Sequence, residues 1–165
     1  MSTPVISTFT DDYGTEHRVF HDAETGTQTE VWEYGSTSET VVSYRDGTLK
    51  WATSKNGRIA KISFYDAARV LHCVDGPAIV EYDQAGQVRC EEWYQSGRLH
   101  RLDGPAVINY DPDGHVRSQQ WYRYGLLHRT GGPALTLYDK DGQVASEAWF
   151  KDGYLTTTNP SKVRG

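Results

Sequence analysis

A period of 28 residues in the second half of the chain constrains the fold more than any other feature. The tripeptide Gly-Pro-Ala recurs at this spacing without gaps, and a Trp-aromatic pair, a turn glycine, a leucine and a histidine recur in register with it. The matching segments are Gly76-Pro77-Ala78, Gly104-Pro105-Ala106 and Gly132-Pro133-Ala134, and then Trp93-Tyr94, Trp121-Tyr122 and Trp149-Phe150. Self-similarity at a fixed period is the signature of a repeat architecture, so we predict successive copies of one supersecondary unit.

Each unit has the pattern of a β-hairpin. In the middle unit the strand Ala106–Tyr110 leads into the turn Asp111–Gly114, and a second strand, Val116–Tyr122, ends shortly before Gly125. Asp, Pro and Gly supply the hydrogen bonds and backbone angles of a tight turn. The composition agrees, because 5 Trp, 11 Tyr, 4 Phe and 16 Gly stand against a single Met, which favours strands and turns over a helical bundle. The predicted fold class is all-β, an elongated and twisted antiparallel meander of repeated hairpins.

The first half uses the same residues at looser spacing. Gly57 precedes Phe64-Tyr65 by the distance that separates Gly86 from Trp93-Tyr94. Turns are also predicted at Asp11–Gly14, Glu24–Gly26, Arg45–Gly47 and Lys55–Gly57. One continuous domain is therefore predicted. Its parts are degenerate N-terminal hairpins or a cap over 1–66, three 28-residue repeats over 67–158 and a C-terminal tail over 159–165.

These Gly- and aromatic-rich hairpins resemble MORN-type repeats, including the MORN-like repeats of bacterial antitoxin-like and viral proteins. Three full units carry the resemblance over 84 of the 165 residues. The period of 28 is longer than the usual MORN unit, and the pattern Trp-Tyr…Gly-x-Leu-His-Arg…Gly-Pro-Ala is a variant of its own. The resemblance implies an extended sheet used for interaction and scaffolding, and not for catalysis.

Charge and hydropathy exclude several functional classes. The net charge of -5 comes from 22 acidic and 17 basic residues that are scattered along the chain. Sequence-independent nucleic-acid binding draws on clustered Lys and Arg, so we do not predict nucleic acid as a partner. No stretch approaches the ~20 apolar residues of a membrane span, and Met1–Asp11 lacks the features of a secretory signal. The prediction is a cytoplasmic protein that does not engage membranes.

Catalytic and metal-binding patterns are sparse. The sequence has no Gly-x-Ser-x-Gly, no glycine-rich phosphate loop and no Cys-x-x-Cys, so we predict neither an enzyme nor a cofactor. His72, His100 and His128 are two strands apart, roughly 9–10 Å at ~4.8 Å per strand, which is too far to share one zinc ion. We expect their rings to bond the backbone of the Asp or Gly that follows. Turn chemistry also explains the calcium-like Asp111–Gly114, and no metal site is predicted.

The aromatic pairs leave two interpretations open. Adjacent residues of a strand point to opposite faces, so a single-layer sheet could carry one aromatic row on each face. Either both rows hold the sheet together, or one row binds a partner, since aromatic and Arg side chains are favoured as interface anchors. Strand alternation alone does not decide which face of the sheet is buried. The predicted partner-binding residues are Trp93, Trp121 and Trp149, flanked by His100, Arg101, Arg117, His128 and Arg129.

The function predicted on this basis is a non-catalytic module that engages a protein partner. The resemblance favours a stoichiometric inhibitor or an antitoxin-like neutraliser, including a viral (phage) role against a host defence. The alternative is a binder of a small anionic ligand, such as a nucleotide, held between aromatic rings and the His-Arg loops. Exposed edge strands would also allow two copies of the chain to pair.

Overall fold

The structure is a computed structural model that describes residues 5–12 and 14–160, and within these ranges it is built from strands, turns and loops alone. Thirteen strands form one antiparallel sheet in which the strands follow each other in chain order. They are β1 (Val5–Thr10), β2 (Glu16–Asp22), β3 (Thr27–Tyr34), β4 (Thr37–Ser43), β5 (Leu49–Lys55), β6 (Arg58–Tyr65), β7 (Ile79–Tyr82), β8 (Val88–Glu92), β11 (Val107–Tyr110), β12 (Val116–Gln120), β15 (Leu135–Tyr138), β16 (Val144–Lys151) and β17 (Tyr154–Pro160). Two short hairpins pair β9 (Tyr94–Gln95) with β10 (Arg98–Leu99), and β13 (Tyr122–Arg123) with β14 (Leu126–Leu127).

The predicted all-β meander is confirmed. At ~4.8 Å per strand, the thirteen strands make a sheet roughly 58 Å long. In the part of the chain that is described, no helix is long and apolar enough to cross a membrane.

The first half consists of three long hairpins, β1–β2, β3–β4 and β5–β6. The predicted turns lie between consecutive strands, and Gly26, Gly47 and Gly57 have φ of 68°, 85° and 72°. Phe64 N donates to Ala78 O over 2.7 Å, as Trp93 N donates to Ala106 O over 2.8 Å. Phe64 therefore occupies the position of the repeat tryptophans, as its spacing from Gly57 indicates.

The second strand of each repeat is not continuous in the way that the sequence predicts. Strand β12 ends at Gln120, and Trp121 lies outside both sheets as the chain enters the short hairpin β13–β14. Trp121 N donates to Ala134 O over 2.7 Å, and Trp121 O accepts from His128 N over 2.9 Å. The prediction of one strand over Val116–Tyr122 is wrong. Trp121 N still keeps the register of β12 against β15, but the Trp121 carbonyl accepts from the arm, and the chain continues into β13. Trp149-Phe150 does lie within one strand, with a register shift between the two residues.

We call residues 93–104 the first arm and 121–132 the second arm. Each arm leaves the main sheet at its tryptophan and returns at Gly-Pro. The arms and the final hairpin β16–β17 stack through their turn glycines, whose N–H groups donate to leucine carbonyls of the preceding repeat. These bonds are Gly97 N to Leu71 O (3.1 Å), Gly125 N to Leu99 O (2.8 Å) and Gly153 N to Leu127 O (2.9 Å). The arms therefore form a second row of contacts, at the ends of the strands and beside the main sheet.

The most deeply buried residues are three alanines. Ala78, Ala106 and Ala134 have no exposed surface, and each lies where the chain returns from an arm or loop into the main sheet. Ile79 and Val107, in the next positions, are 7% exposed. A single-layer sheet has no second sheet to enclose large side chains, so alanine fills the narrow space at the base of each arm.

The C-terminal strand is longer than predicted. Asn159 and Pro160, placed in a tail by the sequence, pair with Glu147 and Ser146 of β16. The rest of the predicted tail, 161–165, lies outside the described residues.

The glycine contacts give a first prediction. Gly97 has φ +74°, and a Cβ at this position would lie 2.8 Å from Val70 Cγ1, whereas Gly86 has φ +86° and nothing within 4 Å of its Cβ position. Both Gly→Ala changes should carry a backbone cost of about 1 kcal/mol. Gly97→Ala should lower the free energy of unfolding by about 1 kcal/mol more, because it also separates the arm from the preceding repeat. Urea denaturation of the two variants tests this, and equal losses would contradict it.

Candidate partner-binding site

The arms hold two Arg–Trp stacks. The guanidinium carbon of Arg101 lies 4.1 Å from the ring centroid of Trp93, and that of Arg129 lies 4.0 Å from the ring centroid of Trp121. A Cβ on Gly104 would lie 2.8 Å from the Arg101 guanidinium, so the planar group also lies against the glycine. A cation over an indole ring contributes about 0.5–1 kcal/mol at an exposed site and more when it is desolvated.

Hydrogen bonds fix the guanidinium groups in these stacks. Arg101 Nη1 donates to Pro105 O over 3.4 Å, and Arg129 Nη1 donates to Pro133 O over 3.2 Å. Arg101 Nε also donates to Asp103 Oδ1 over 3.1 Å. The arginine thus links the start of each arm, at the tryptophan, to its end, at Gly-Pro.

The histidines join one repeat to the next. His100 Nδ1 accepts a hydrogen bond from Tyr124 N over 3.2 Å, and the His100 ring stacks on the Tyr124 ring with centroids 4.6 Å apart. His128 Nδ1 accepts from Asp152 N over 3.2 Å in the same way. The expectation that these rings bond the Asp or Gly that follows is wrong. The stacking of the arms brings a turn N–H from 24 residues further along the chain onto each ring.

Asp152 belongs to the same contact. Its Oδ1 accepts from Arg123 Nη2 over 2.7 Å and lies 2.9 Å from His128 Nδ1. The hydrogen bond from Arg123 is the main cause that lowers the pKa of Asp152, with a smaller contribution from His128. The carboxylate is thus ionised at neutral pH and joins the final hairpin to the second arm.

The remaining predicted residues, Trp149 and Arg117, lie apart from the stacks. Thr157 occupies the repeat position of Arg101 and Arg129, so Trp149 has no arginine of its own repeat above it. Arg117 is half-buried beside the register shift of β11 and β12, and its side chain makes no hydrogen bond or ion pair within the described residues. Six of the eight predicted residues thus make intramolecular contacts, and the structure does not gather all eight on one bare surface. Their role as partner contacts stays a prediction.

Apolar side chains that sequence reasoning missed are exposed on the arms, on the loop before the first arm and on β17. Val74 and Leu102 are 83% and 84% exposed, and Tyr124 and Tyr154 are 61% and 80% exposed. We call these four residues the arm surface. Val74 and Leu102 line one groove, Tyr124 lies in the turn of the second arm, and Tyr154 follows Gly153, which donates to Leu127 of that arm. The sequence does contain a signal for these residues, because their positions change from repeat to repeat while the neighbouring His, Gly and Leu do not. Val74 and Leu102 align with Thr130, and Tyr124 aligns with Ser96 and Asp152.

A groove of about 570 Å³ separates Val74 from Leu102. Trp93, His100 and Arg101 line it, but so do the carboxylates of Asp75 and Asp103, so its charges are mixed.

Tyrosine and carboxylate side chains pair on both faces of the sheet. Tyr94 Oη donates to Glu92 Oε2 over 2.9 Å, and Tyr110 Oη donates to Glu91 Oε2 over 2.6 Å. Burial first, and then the Glu92 carboxylate, raise the pKa of Tyr94 to about 12. Each glutamate is thus engaged by its own tyrosine, and the two carboxylates point to opposite faces of β8.

The other reactive groups are also accounted for by local structure. Cys73 and Cys90 are free thiols. Burial, followed by the Glu92 and Glu81 carboxylates, raises the pKa of Cys90 to about 12, so this thiol is not ionised at neutral pH. Asp111, Asp113 and His115 place ligand atoms within 4.8 Å of one another, but Asp111 Oδ1 already accepts from the backbone N–H groups of the other two, as the predicted turn requires.

No protein-family model matches the chain, and a search of curated proteins finds no match either. The resemblance to MORN-type repeats therefore stays a prediction.

The Arg–Trp stack gives a second prediction. Arg129→Gln removes the cation over Trp121 and weakens the hydrogen bond to Pro133 O, so the free energy of unfolding should fall by about 1 kcal/mol or more. Arg117→Gln removes the same charge without such contacts and should change stability by less than about 0.5 kcal/mol. Chemical denaturation followed by Trp fluorescence measures both, and a loss no larger in Arg129→Gln than in Arg117→Gln would rule out the stack as a stabilising contact.

Tyr94 gives a third prediction, at alkaline pH. Its pKa of about 12, against an ordinary value of 10.0, means that the unfolded chain releases this proton first. The stabilisation is complete below pH 10 and is lost as the pH rises towards 12. Tyr94→Phe should therefore make the fall in unfolding free energy between these two pH values less steep. Urea titrations at several pH values, with phenolate absorbance recorded alongside, would show this, and an unchanged slope would contradict it.

Proposed function

We propose that the chain is a non-catalytic binding module that engages a protein partner through the arm surface. Its role would be that of a stoichiometric inhibitor or an antitoxin-like neutraliser, which includes a viral role against a host defence. The observation that carries the proposal is the near-complete exposure of Val74, Leu102 and Tyr154, which lie in the loop before the first arm, in the first arm and in the final hairpin, segments that stack through their turn glycines.

Exposed apolar side chains on neighbouring segments are typical of interaction sites. Burying a Val or Leu side chain stabilises a complex by about 1.5–3 kcal/mol relative to leaving it in water. Tyr124 and Tyr154 add rings with a polar end, which suit an interface that is dry at its centre and wet at its rim. A surface of this kind fits a folded protein surface better than it fits a small polar substrate.

The contacts within the arms support binding in a second way. The hydrogen bond of Gly125 to Leu99 O and that of Tyr124 N to His100 hold the turn in place before any partner arrives. A surface that is already ordered loses less conformational entropy on association. The intramolecular role of the histidines and arginines is thus compatible with a binding role for their neighbours.

The alternative, a small anionic ligand such as a nucleotide, would use the groove between Val74 and Leu102. Arg101 in this groove is already paired with Asp103 and stacked on Trp93, and Asp75 adds a second carboxylate. Two carboxylates at the rim oppose an anion, so the protein partner is the preferred proposal. A thermal-shift screen with nucleotides separates the two, since a ligand at 100 times its Kd adds about 2.7 kcal/mol of stability.

The test of this proposal uses affinity capture from the native host and matched aspartate substitutions. Leu102→Asp places a charge on the arm surface, whereas Ala85→Asp places the same charge in the exposed turn at the opposite edge of the sheet, where the other repeats have Asp113 and Asp141. The wild type and Ala85→Asp should capture the same protein at a fixed ratio, and Leu102→Asp should reduce its retention by about tenfold or more.

Native mass spectrometry of the complex gives the ratio and also reports pairing between copies through β1 or β17. Addition of the chain to the purified partner, with the partner's activity as the readout, tests inhibition. Equal capture by Leu102→Asp and Ala85→Asp would remove the arm surface from the proposal.

A further inference from the structure

The loop before the first arm has the form of an Arg–Trp stack from which the arginine is missing. Phe64 stands where later repeats have Trp93 and Trp121, as its hydrogen bond to Ala78 O shows. Cys73 stands at the position of Arg101 and Arg129, and its short side chain cannot reach across the ring. The aromatic ring is therefore present in this repeat without its cation.

The groups that receive the guanidinium in the first arm are present here too. A Cβ on Gly76 would meet only Cys73 Sγ, at 3.9 Å, whereas the equivalent Gly104 lies against the Arg101 guanidinium. Pro77 O corresponds to Pro105 O, which accepts from Arg101 Nη1, yet among the described residues nothing donates to Pro77 O.

The carboxylate of this site is in place as well. Asp75 corresponds to Asp103, which pairs with Arg101 Nε, and Asp75 is exposed with no ion pair in the described part of the chain. The first repeat thus retains the glycine, the carbonyl and the carboxylate of the stack, each without the cation that occupies it in the first arm.

Space for a side chain exists on both sides of Cys73. A cavity of about 160 Å³ is lined by Tyr44, Leu49, Phe64, Tyr65, Cys73 and Val74, among others. This volume is about five times the ≈30 Å³ that one water occupies in the liquid. Cys73 and Gly76 also line the groove of about 570 Å³ that faces Arg101.

We propose that this socket, formed by Phe64, Cys73, Asp75, Gly76 and Pro77, binds the guanidinium group of an arginine side chain that the protein partner supplies. The inference rests on the proposed function for the existence of that partner, and the chain's own stacks supply the chemistry of recognition. A guanidinium can stack on a ring and at the same time donate in its plane to a carboxylate and a carbonyl. A lysine ammonium is a compact charge and cannot do both.

Binding of a short peptide tests the socket without knowledge of the partner. The probe is acetyl-Gly-Arg-Gly-amide, titrated into the full-length chain and followed by NMR through the backbone amides of His72 and Ala78. Matched peptides carry lysine or the neutral isostere citrulline in place of arginine. We expect saturable shifts with the arginine peptide and binding weaker by about tenfold with citrulline.

Cys73→Arg is the decisive variant, because it restores the residue that the later repeats have and should fill the socket from within. It should abolish binding of the arginine peptide and raise the thermal stability of the chain. Ala85→Arg adds the same charge at the opposite edge and should leave peptide binding unchanged. Arg101→Cys should create a second socket over Trp93, with a change in Trp fluorescence on addition of the peptide.

Two results would overturn the proposal: no saturable binding of the arginine peptide to the wild type, or equal binding by the wild type and Cys73→Arg. The proposed function fails separately, if capture from the host yields no partner that depends on Leu102. In that case the socket would still bind the arginine peptide, so the two failures are distinguishable.

Discussion

The N–H groups of Gly97, Gly125 and Gly153 donate to leucine carbonyls of the preceding repeat, and the other contacts between arms depend on these bonds. A single-layer sheet encloses no thick core, so its projecting hairpins must be held by their neighbours along the chain. The missing side chain of Gly97 allows the turn to approach closely, since a Cβ would lie 2.8 Å from Val70. Once the turn is in place, the next N–H groups can reach a histidine ring, as Tyr124 N reaches His100 Nδ1. This contact recurs with the period of 28 residues, at Gly97, Gly125 and Gly153.

This arrangement changes how the chemically active residue types are interpreted. Buried histidines, stacked arginines and paired tyrosines indicate a functional site in many proteins. Here the histidines join successive repeats, the arginines link the two ends of each arm, and the tyrosines bond to the glutamates of β8. His100 is 7% exposed, and its Nδ1 already accepts a backbone N–H. Its ring is therefore poorly accessible to a ligand. The positions that the stacking does not need are the ones free to vary, and at Val74, Leu102 and Tyr154 they expose apolar surface.

The sequence was sufficient to predict the hairpins, because turn residues and β-favouring residues act locally. Gly26, Gly47 and Gly57 lie in turns with positive φ, as their neighbours indicate. The break at Trp121 could not be predicted, since the run from Val116 to Tyr122 favours a strand throughout. At the break the Trp121 carbonyl accepts from His128 N, which belongs to the arm hairpin and lies outside this run. The same holds for His100, whose acceptor role depends on a turn 24 residues away. Hydrogen bonds to residues outside the local run thus account for these two differences between sequence and structure.

In a repeat array, information about a partner lies in the departures from the repeat. Two departures remove an arginine from its stack, Cys73 in the first repeat and Thr157 at the end of the chain. At the end of the chain the repeat position of Gly104 and Gly132 is held by Pro160, so the Gly-Pro that receives a guanidinium is lost together with the arginine. In the first repeat Gly76, Pro77 and Asp75 are all kept. A degenerating repeat would lose such groups together, whereas a site that receives an arginine from outside must keep them and lose only its own. Cys73 has this second pattern, and it lies beside Val74, on the edge where the arm surface would meet the partner.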